Sequence, residues 1–282
     1  MPRCAFLTLE NTEGWFIDDD LVHEPLIARG WEVENVPWTR STDWDDFDLV
    51  VIRSPWDYQQ RPEEFLEVLG RIERSKAKLQ NSLEVVRWNI DKTYLLELRG
   101  KGVELVPTVM LPCLGPGDLD RIGEEFGTRQ LVVKPTVGAN ADDTFRLPEQ
   151  QPGDVFAAKP CFVQPFMQSV VDEGEFSLMY FNGSLSHVIL KTVGKGDFRV
   201  QEEHGGGVVA IDSPEPALVA AGDAAMAQLP WNTLYARVDL VRTDSGSFGL
   251  MELEMIEPCL YFRFGDNSAG AFAAAICDAV QG

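Results

Sequence analysis

The segment from Phe47 to Ser54 reads FDLVVIRS, a nearly continuous apolar run. A strand that is covered on both faces has this pattern, and such strands are typical of parallel sheets packed between helices. Strand patterns also occur at CAFLTLE and WEVENVPW, and helix patterns occur over residues 18–29 and 62–76. This order of strands and helices predicts an α/β architecture whose first eighty residues form a parallel sheet with right-handed crossovers.

Parallel sheets bind ligands beyond the carboxyl ends of their strands. The stretch RSPWDY, residues 53–58, stands at such an end. An arginine beside aromatic side chains suits a small amino-acid-like carboxylate. We therefore predict that Arg53, Trp56 and Asp57 contribute to a substrate site, with packing between lobes as the alternative.

A second constraint lies near the C-terminus, where two apolar-acidic segments flank the turn TDSGS. Arg237 and Asp239 are two residues apart on the first segment, and Glu252 and Glu254 are two apart on the second. Residues two apart on a strand share a face, so pairing of the segments gathers three carboxylates and a guanidinium. Burying such charges unpaired costs several kcal/mol per ion, and oxygen ligands favour Mg²⁺. The hairpin thus predicts a magnesium site, with an exposed, salt-bridged hairpin as the alternative.

Two lysines stand where they could reach an anion. Lys134 ends the apolar strand LVVK, and Lys92 lies early in a helix, where a cation is unfavourable unless an anion binds nearby. The stretch KGDFRVQEEHGGGVV places three glycines, 205–207, beside Arg199 and His204. Such a segment predicts a mobile lid or a close backbone approach to a ligand, with a long hairpin tip as the alternative.

Composition narrows the classes of function. The chain has 24 Lys and Arg against 45 Asp and Glu, a net charge of −21, so a nucleic-acid partner is not expected. Neither a phosphate loop with the pattern GxxxxGK[ST] nor a GxGxxG fingerprint occurs. Five scattered cysteines, the absence of an apolar run of about 18 residues and a strand-like start predict a cytoplasmic protein without a membrane partner.

The order of these parts resembles the ATP-grasp ligases, whose familiar members are glutathione synthetase and D-alanine–D-alanine ligase. The strings that carry the resemblance are RSPWDY, WNIDKTYL, VVKP, FVQPF, GEFS, GDFRVQ with GGG, ARVD and MELEMIEP, in this order over nearly the whole chain. They are most similar to the branch that contains the D-cycloserine-forming ligase. The resemblance implies an ATP-grasp fold with an N-terminal substrate lobe over residues 1–85, a central lobe over 86–163 and a C-terminal lobe over 164–282, the last two clamping ATP.

The resemblance also implies a set of site residues and cofactors. Lys92 and Lys134 match lysines that bind phosphate, Val163, Gln164 and Phe166 belong to the adenine hinge, and Glu175 matches the ribose-binding acid. Arg237 faces the transferred phosphoryl group, and Arg199 with Gly206 and Gly207 matches the lid over the acceptor. Asp239, Glu252 and Glu254 match the ligands of two Mg²⁺ ions, which Mn²⁺ can replace. Relatives of this kind are monomers or homodimers.

Three departures from the family pattern bear on the site. Glu254 stands where many relatives have Asn, and Gln164 stands where the hinge often has an acid. Asp142 and Asp143 are unusual neighbours for phosphate, so they face either the nucleotide or solvent. Glu257 is either a fourth acid of the site or a surface residue.

The resemblance predicts an ATP- and Mg²⁺-dependent carboxylate–amine ligase. Such an enzyme forms an amide through an acyl phosphate and releases ADP and phosphate, and its substrate is a small amino-acid-like or peptide-like molecule, joined to a second molecule or closed on itself. A small-molecule kinase built on the same fold and a non-catalytic nucleotide-binding protein are the alternatives.

Overall fold

Three sheets follow one another along the chain in a computed structural model, which describes residues 1–138, 141–194, 199–200, 202 and 205–281. The strands are β1 (Arg3–Thr8), β2 (Glu32–Pro37), β3 (Leu49–Ser54), β4 (Lys78–Gln80), β5 (Val109–Leu111), β6 (Leu131–Pro135), β7 (Phe145–Arg146), β8 (Cys161–Pro165), β9 (Glu175–Phe181), β10 (Ser184–Thr192), β11 (Gly207–Ala210), β12 (Tyr235–Arg242) and β13 (Phe248–Glu254). The helices are α1 (His23–Ile27), α2 (Pro62–Glu73), α3 (Leu83–Asn89), α4 (Tyr94–Gly100), α5 (Asp118–Phe126), α6 (Gln168–Asp172), α7 (Pro216–Met226) and α8 (Ser268–Gln281).

The N-terminal sheet confirms the predicted parallel arrangement. Its strands are ordered β2-β1-β3-β4, and all three pairings are parallel. Strand β3 is buried at every position, as its unbroken apolar sequence predicts. The helix predicted over residues 18–29 is shorter, because only a 3-10 turn at Asp19–Val22 and α1 form. Pro25 has no N–H to donate to residue 21, so a single α-helix cannot run through this segment.

The middle sheet is antiparallel in the order β5-β8-β6-β7. Its core contains side chains from α5, β6, β8 and the loop between β7 and β8, among them Ile122, Val133, Phe156 and Val163. Strand β8 pairs with β5 on one side and β6 on the other, so it is the central strand that the hinge sequence FVQPF occupies.

The third sheet is antiparallel in the order β11-β10-β9-β12-β13. The turn between β9 and β10 lies at Asn182 and Gly183, with φ of 47° and 76°, as the Asn-Gly pair predicts. Strands β12 and β13 form the predicted hairpin, in which Arg237 is opposite Glu254 and Asp239 is opposite Glu252. Apolar side chains of this sheet pack beneath α7 on one face and against α8 on the other.

The segment between the first two sheets contains two helices, α3 and α4. Asn89 ends α3 and does not cap a helix, and Asp91 accepts a hydrogen bond from the Thr93 N–H ahead of α4 at 2.9 Å. The predicted lobe boundaries after residues 85 and 163 fall inside α3 and β8. The division into three lobes therefore stays a prediction, although the three sheets follow one another in that order.

None of the described helices is both long and apolar enough to cross a membrane.

Candidate active site

A cavity lies between the middle sheet, the third sheet and the N-terminal loop that contains Trp15 and Phe16. Its enclosed volume is about 240 Å³. Strands β6, β8, β9, β10, β12 and β13 each contribute at least one lining side chain. The charged residues that line it are Lys92, Lys134, Asp142, Glu175, Lys191, Arg199, Glu202, Arg237, Asp239, Glu252, Glu254 and Glu257.

Two of the predicted acids come from facing positions on β12 and β13. Asp239 is 1% exposed, and the guanidinium of Arg237 donates to its Oδ2 at 2.9 Å. Burial raises the pKa of Asp239, but Arg237 and Lys191 outweigh burial and lower it below its usual range. Burial also opposes ionisation of Glu252, whose pKa is nevertheless lowered, mainly by Lys92. Both carboxylates are therefore ionised at neutral pH.

The two phosphate-binding candidates, Lys92 and Lys134, are both electrostatic neighbours of Glu252. The Lys92 ammonium lies 3.1 Å from Oε1 of Glu252 and donates to the Gly138 carbonyl at 3.1 Å. Burial disfavours its charge, but the neighbouring glutamates raise its pKa. Lys134 has a lowered pKa because of burial, and its ammonium donates to Oε1 of Gln164 at 3.1 Å. Both cations face the cavity, as the sequence predicted.

Lys191 is a member of this site that the sequence analysis missed. It is 5% exposed, and its ammonium lies 2.5 Å from Oε1 of Glu175 and 3.2 Å from Oδ1 of Asp239. It thus joins the predicted ribose acid to the predicted metal ligand. Burial opposes its charge, but Asp239 and Glu175 raise its pKa above the usual value.

The hinge residues divide between the cavity and the core. Gln164 and Phe166 line the cavity, and the Gln164 amide also donates to Thr108 at 2.9 Å. Gln164 therefore holds Lys134 by a hydrogen bond where an acid would form an ion pair. Val163 is fully buried in the core of the middle sheet, and its strand is paired on both sides, so it does not reach the cavity.

Of the three substrate residues predicted from RSPWDY, one lines the cavity and two do not. Trp56 lines the cavity. Arg53 is fully buried elsewhere, where its guanidinium donates to Asp19 at 2.8 Å and to the Pro258 carbonyl at 3.0 Å. Asp57 accepts a hydrogen bond from the Trp38 indole at 2.7 Å and does not line the cavity. The lobe-packing alternative therefore describes Arg53 and Asp57 better than substrate binding does.

The glycine-rich segment is only partly described. Arg199 lines the cavity and Gly207 begins β11, whereas Gly206 and Gly207 are not lining residues. The predicted lid residues 195–198, 201, 203 and 204, with His204 among them, lie outside the described residues. Of the two uncertain aspartates, Asp142 lines the cavity, and Asp143 pairs with Lys159 at 2.5 Å.

The carboxylate oxygens in the cavity wall are of the type that Mg²⁺ prefers. Glu257 is 4% exposed, and within the described part of the chain its Oε2 has no hydrogen-bond partner. Burial and the neighbouring Glu254 raise its pKa well above the usual range, and burial also raises the pKa of Glu254. Across the residues that the structure describes, no three such side chains converge on a single point, because Asp239 and Glu252 turn toward Arg237 and Lys92. Rotation of these carboxylates toward the cavity would create the donor set that Mg²⁺ prefers.

A neighbouring thiol lacks the properties of a nucleophile. Cys259 lines the cavity, but burial raises its pKa to about 12. A thiol with this pKa stays protonated at neutral pH, and only the thiolate is strongly nucleophilic. This agrees with chemistry that forms no covalent bond to the enzyme.

Comparison with known proteins gives a consistent assignment. The family model for the N-terminal domain of D-cycloserine synthetase DcsG matches residues 4–81. Cycloserine biosynthesis protein DcsG of Streptomyces lavendulae is 31% identical over 280 residues, covering 89% of this chain and 90% of that protein. The crystal structure of D-cycloserine synthetase DcsG superposes with a TM-score of 0.84 at 29% identity, over 99% of both chains. D-alanine–D-alanine ligase of Bacillus anthracis superposes with a TM-score of 0.66 at 14% identity, over 100% of this chain and 97% of that one.

The fold and the cavity define an ATP-grasp ligase, an enzyme that joins a carboxylate to an amine at the expense of ATP. Enzymes of this class use ATP and Mg²⁺, and the relatives do not favour the kinase or the non-catalytic alternative. Within the class, the chain belongs to the D-cycloserine synthetase family of DcsG.

Proposed function

We propose that this enzyme closes the ring of D-cycloserine from an open-chain amino acid. The observation that carries the proposal is the 31% identity to DcsG, which extends over 89% of the chain and so includes both the cavity and the N-terminal sheet. The ring of D-cycloserine contains one acyl–nitrogen bond, and hydrolysis of that bond gives O-amino-D-serine. This molecule carries both of the groups that a ligase of this class joins.

The reaction divides into two steps. A carboxylate oxygen of the substrate attacks the γ-phosphorus of ATP, the bond to the β,γ-bridging oxygen breaks, and ADP leaves with the electron pair. The aminooxy nitrogen then attacks the acyl carbon, the bond from that carbon to the phosphate oxygen breaks, and the nitrogen loses one proton. The products are the cyclic hydroxamate, ADP, phosphate and a proton.

The residues around the cavity support this chemistry by charge and position. Lys92 and Lys134 bind the phosphates, and Arg237 stabilises the charge on the transferred phosphoryl group. Glu175 accepts hydrogen bonds from the ribose, and the chain at Gln164 and Phe166 borders the adenine. Arg199 lines the cavity and is the cation assigned to the lid over the acceptor.

Asp239, Glu252 and Glu254 are the residues that would hold two Mg²⁺ ions, or Mn²⁺ in their place. Ions held there would offset the negative charge of the phosphates. In the cavity wall, seven acids face five lysines and arginines. This excess of negative charge disfavours a bare triphosphate and suits one that carries divalent cations.

The test supplies O-amino-D-serine as the sole organic substrate, with ATP and Mg²⁺, and measures ADP and D-cycloserine together. We expect one D-cycloserine for each ADP, with no second amine required. ADP release that depends on an added amine would place the enzyme among ligases that join two molecules. A stable phosphorylated product without D-cycloserine would favour the kinase alternative.

A further inference from the structure

We propose that the carboxylate of Glu257 and the paired rings of Trp15 and Trp56 bind the α-ammonium group of the amino-acid substrate. The inference deepens the proposed function, since it rests on the substrate being an amino acid. It assigns a role to one of the three cavity acids, Asp142, Glu202 and Glu257, that neither the ATP assignment nor the metal assignment uses.

The argument begins with an unpaired oxygen. Glu257 lines the cavity and is 4% exposed, yet its Oε2 has no hydrogen-bond partner among the residues that the structure describes. Burial raises the pKa of Glu257 well above its usual range, and a cation beside this carboxyl group favours its charged form. A buried carboxylate oxygen without a donor is costly, so a ligand that brings a donor there gains affinity.

The backbone that carries Glu257 is fixed by two side chains from the N-terminal sheet. The Trp56 indole donates to the Glu257 carbonyl at 2.8 Å, and Arg53 donates to the next carbonyl, that of Pro258, at 3.0 Å. Both donors belong to RSPWDY, the segment in which the sequence analysis sought substrate residues. Arg53 is therefore a positioning residue for this part of the cavity wall.

Aromatic rings stand next to this carboxylate. Trp15 and Trp56 both line the cavity, and their ring centroids are 5.2 Å apart. Phe16 lines the same side and is 51% exposed. Aromatic faces attract organic ammonium groups, and the attraction is strongest for tryptophan.

The surroundings of Glu257 favour an ammonium over a metal ion. Magnesium retains several water ligands and prefers a shell of oxygen atoms. Glu257 instead shares the cavity with the rings of Trp15 and Trp56, and the Trp56 indole donates to its backbone carbonyl. The nearby cation Lys92 is engaged by Glu252 and by the Gly138 carbonyl.

The experiment compares two probes that differ only in the α-ammonium: O-amino-D-serine and 3-(aminooxy)propanoic acid. Binding is measured by calorimetry to the full chain with Mg²⁺ and a non-hydrolysable ATP analogue. We expect the wild-type protein to bind O-amino-D-serine about tenfold to a hundredfold more tightly, as one buried hydrogen bond to a charged group provides. The variant E257Q should lose most of this difference and keep the wild-type KM for ATP and the wild-type Mg²⁺ requirement.

The matched control is E63Q, which alters an exposed glutamate in the first turn of α2 and should retain the full discrimination. Equal binding of the two probes by the wild-type protein would overturn the proposal, and this arm needs no variant. A raised Mg²⁺ requirement in E257Q with intact discrimination would also overturn it and would make Glu257 a metal ligand. If E257Q does not fold, the variant W15L, on the surface loop, takes its place. We expect W15L to reduce the discrimination between the probes severalfold. Unchanged discrimination in W15L would contradict the aromatic part of the subsite.

These outcomes separate the inference from the proposed function. Discrimination between the probes without formation of D-cycloserine would support the ammonium site and contradict the proposed ring closure. Formation of D-cycloserine without discrimination between the probes would support ring closure and contradict the ammonium site. Binding of neither probe would contradict both.

Discussion

At the scale of the residue, buried charges in this protein serve two different purposes. Around the cavity, Arg237, Lys191 and Lys92 hold carboxylates that are available to a ligand. Arg53 and Asp19 form an ion pair of the same chemical type, but both side chains are shielded from the cavity. Burial alone therefore does not identify a functional charge, and access to the cavity is the feature that separates the two groups.

The Arg53→Met variant tests the structural role of this ion pair. The substitution leaves Asp19 buried without its cation, so we expect the free energy of unfolding to fall by about 3–5 kcal/mol. Urea denaturation followed by circular dichroism measures the change. Unchanged stability would return Arg53 to the list of candidate substrate residues.

His187 gives the molecule a pH dependence with a definite sign. Burial lowers the pKa of His187, and its Nε2 lies 2.9 Å from the Leu260 carbonyl, which the neutral ring can donate to. As the pH falls through the ordinary histidine range near about 6.5, the unfolded chain takes up a proton that the folded chain resists. Stability should therefore fall with falling pH, and the dependence should be weaker in H187Q when urea unfolding is compared at pH 7.5 and pH 5.5. An equal dependence in the two proteins would contradict this role.

The sequence predicted the acids of the site better than it predicted their partners. Residues two apart on a strand share a face, so Arg237, Asp239, Glu252 and Glu254 could be placed together without a structure. Lys191 could not, because it lies opposite Glu175 only after a register shift between Leu185 and His187. Counting back from the Asn-Gly turn without that bulge places Lys191 opposite Gly174. A sequence pattern fixes the face of a strand, whereas a bulge shifts its register and leaves little trace in composition.

At the scale of the element, the hairpin β12–β13 is held in place by two asparagines from the preceding segment. Asn81 donates to the Tyr235 and Met255 carbonyls at 2.9 and 2.8 Å. Asn89 donates to the Leu253 carbonyl and accepts from the Met255 N–H, both at 2.8 Å. Asn89, a residue type that is common at helix caps, thus fixes the strand that carries Glu252 and Glu254. Capping preferences are local, so they could not reveal a partner more than 160 residues away.

The N89A variant tests this support. Two buried backbone groups of β13 lose their partners, so the free energy of unfolding should fall by about 2–4 kcal/mol. We also expect kcat for ADP release to fall in the folded fraction, because the acids of β13 lose their fixed position. N35A, which alters an asparagine bonded to the exposed Asp20, is the matched control and should change neither quantity. Wild-type kcat in N89A would show that β13 does not need this anchor.

At the scale of the whole molecule, the three sheets meet around one cavity. The middle sheet contributes Lys134 and Gln164, the third sheet contributes Glu175 and Glu252, and the N-terminal sheet contributes Trp56 from the loop after β3. The parallel sheet and the acid hairpin could be predicted from periodicity. The distinction between Trp56, which lines the cavity, and Arg53, which does not, could not be predicted, because both stand near the carboxyl end of β3. Only the contacts of Arg53 with Asp19 and Pro258 separate them.

The central claim is that the carboxylates of the β12–β13 hairpin hold magnesium against the phosphates of ATP. E252Q removes one negative charge with little change in shape, and D244N, in the exposed turn of the same hairpin, is the control. Mg²⁺-dependent ADP release with O-amino-D-serine measures the effect, and thermal unfolding checks the fold. We expect E252Q to lose ADP release by at least about a hundredfold with an unchanged fold, and D244N to match the wild-type protein. Full activity in folded E252Q, at the same Mg²⁺ requirement, would contradict the account.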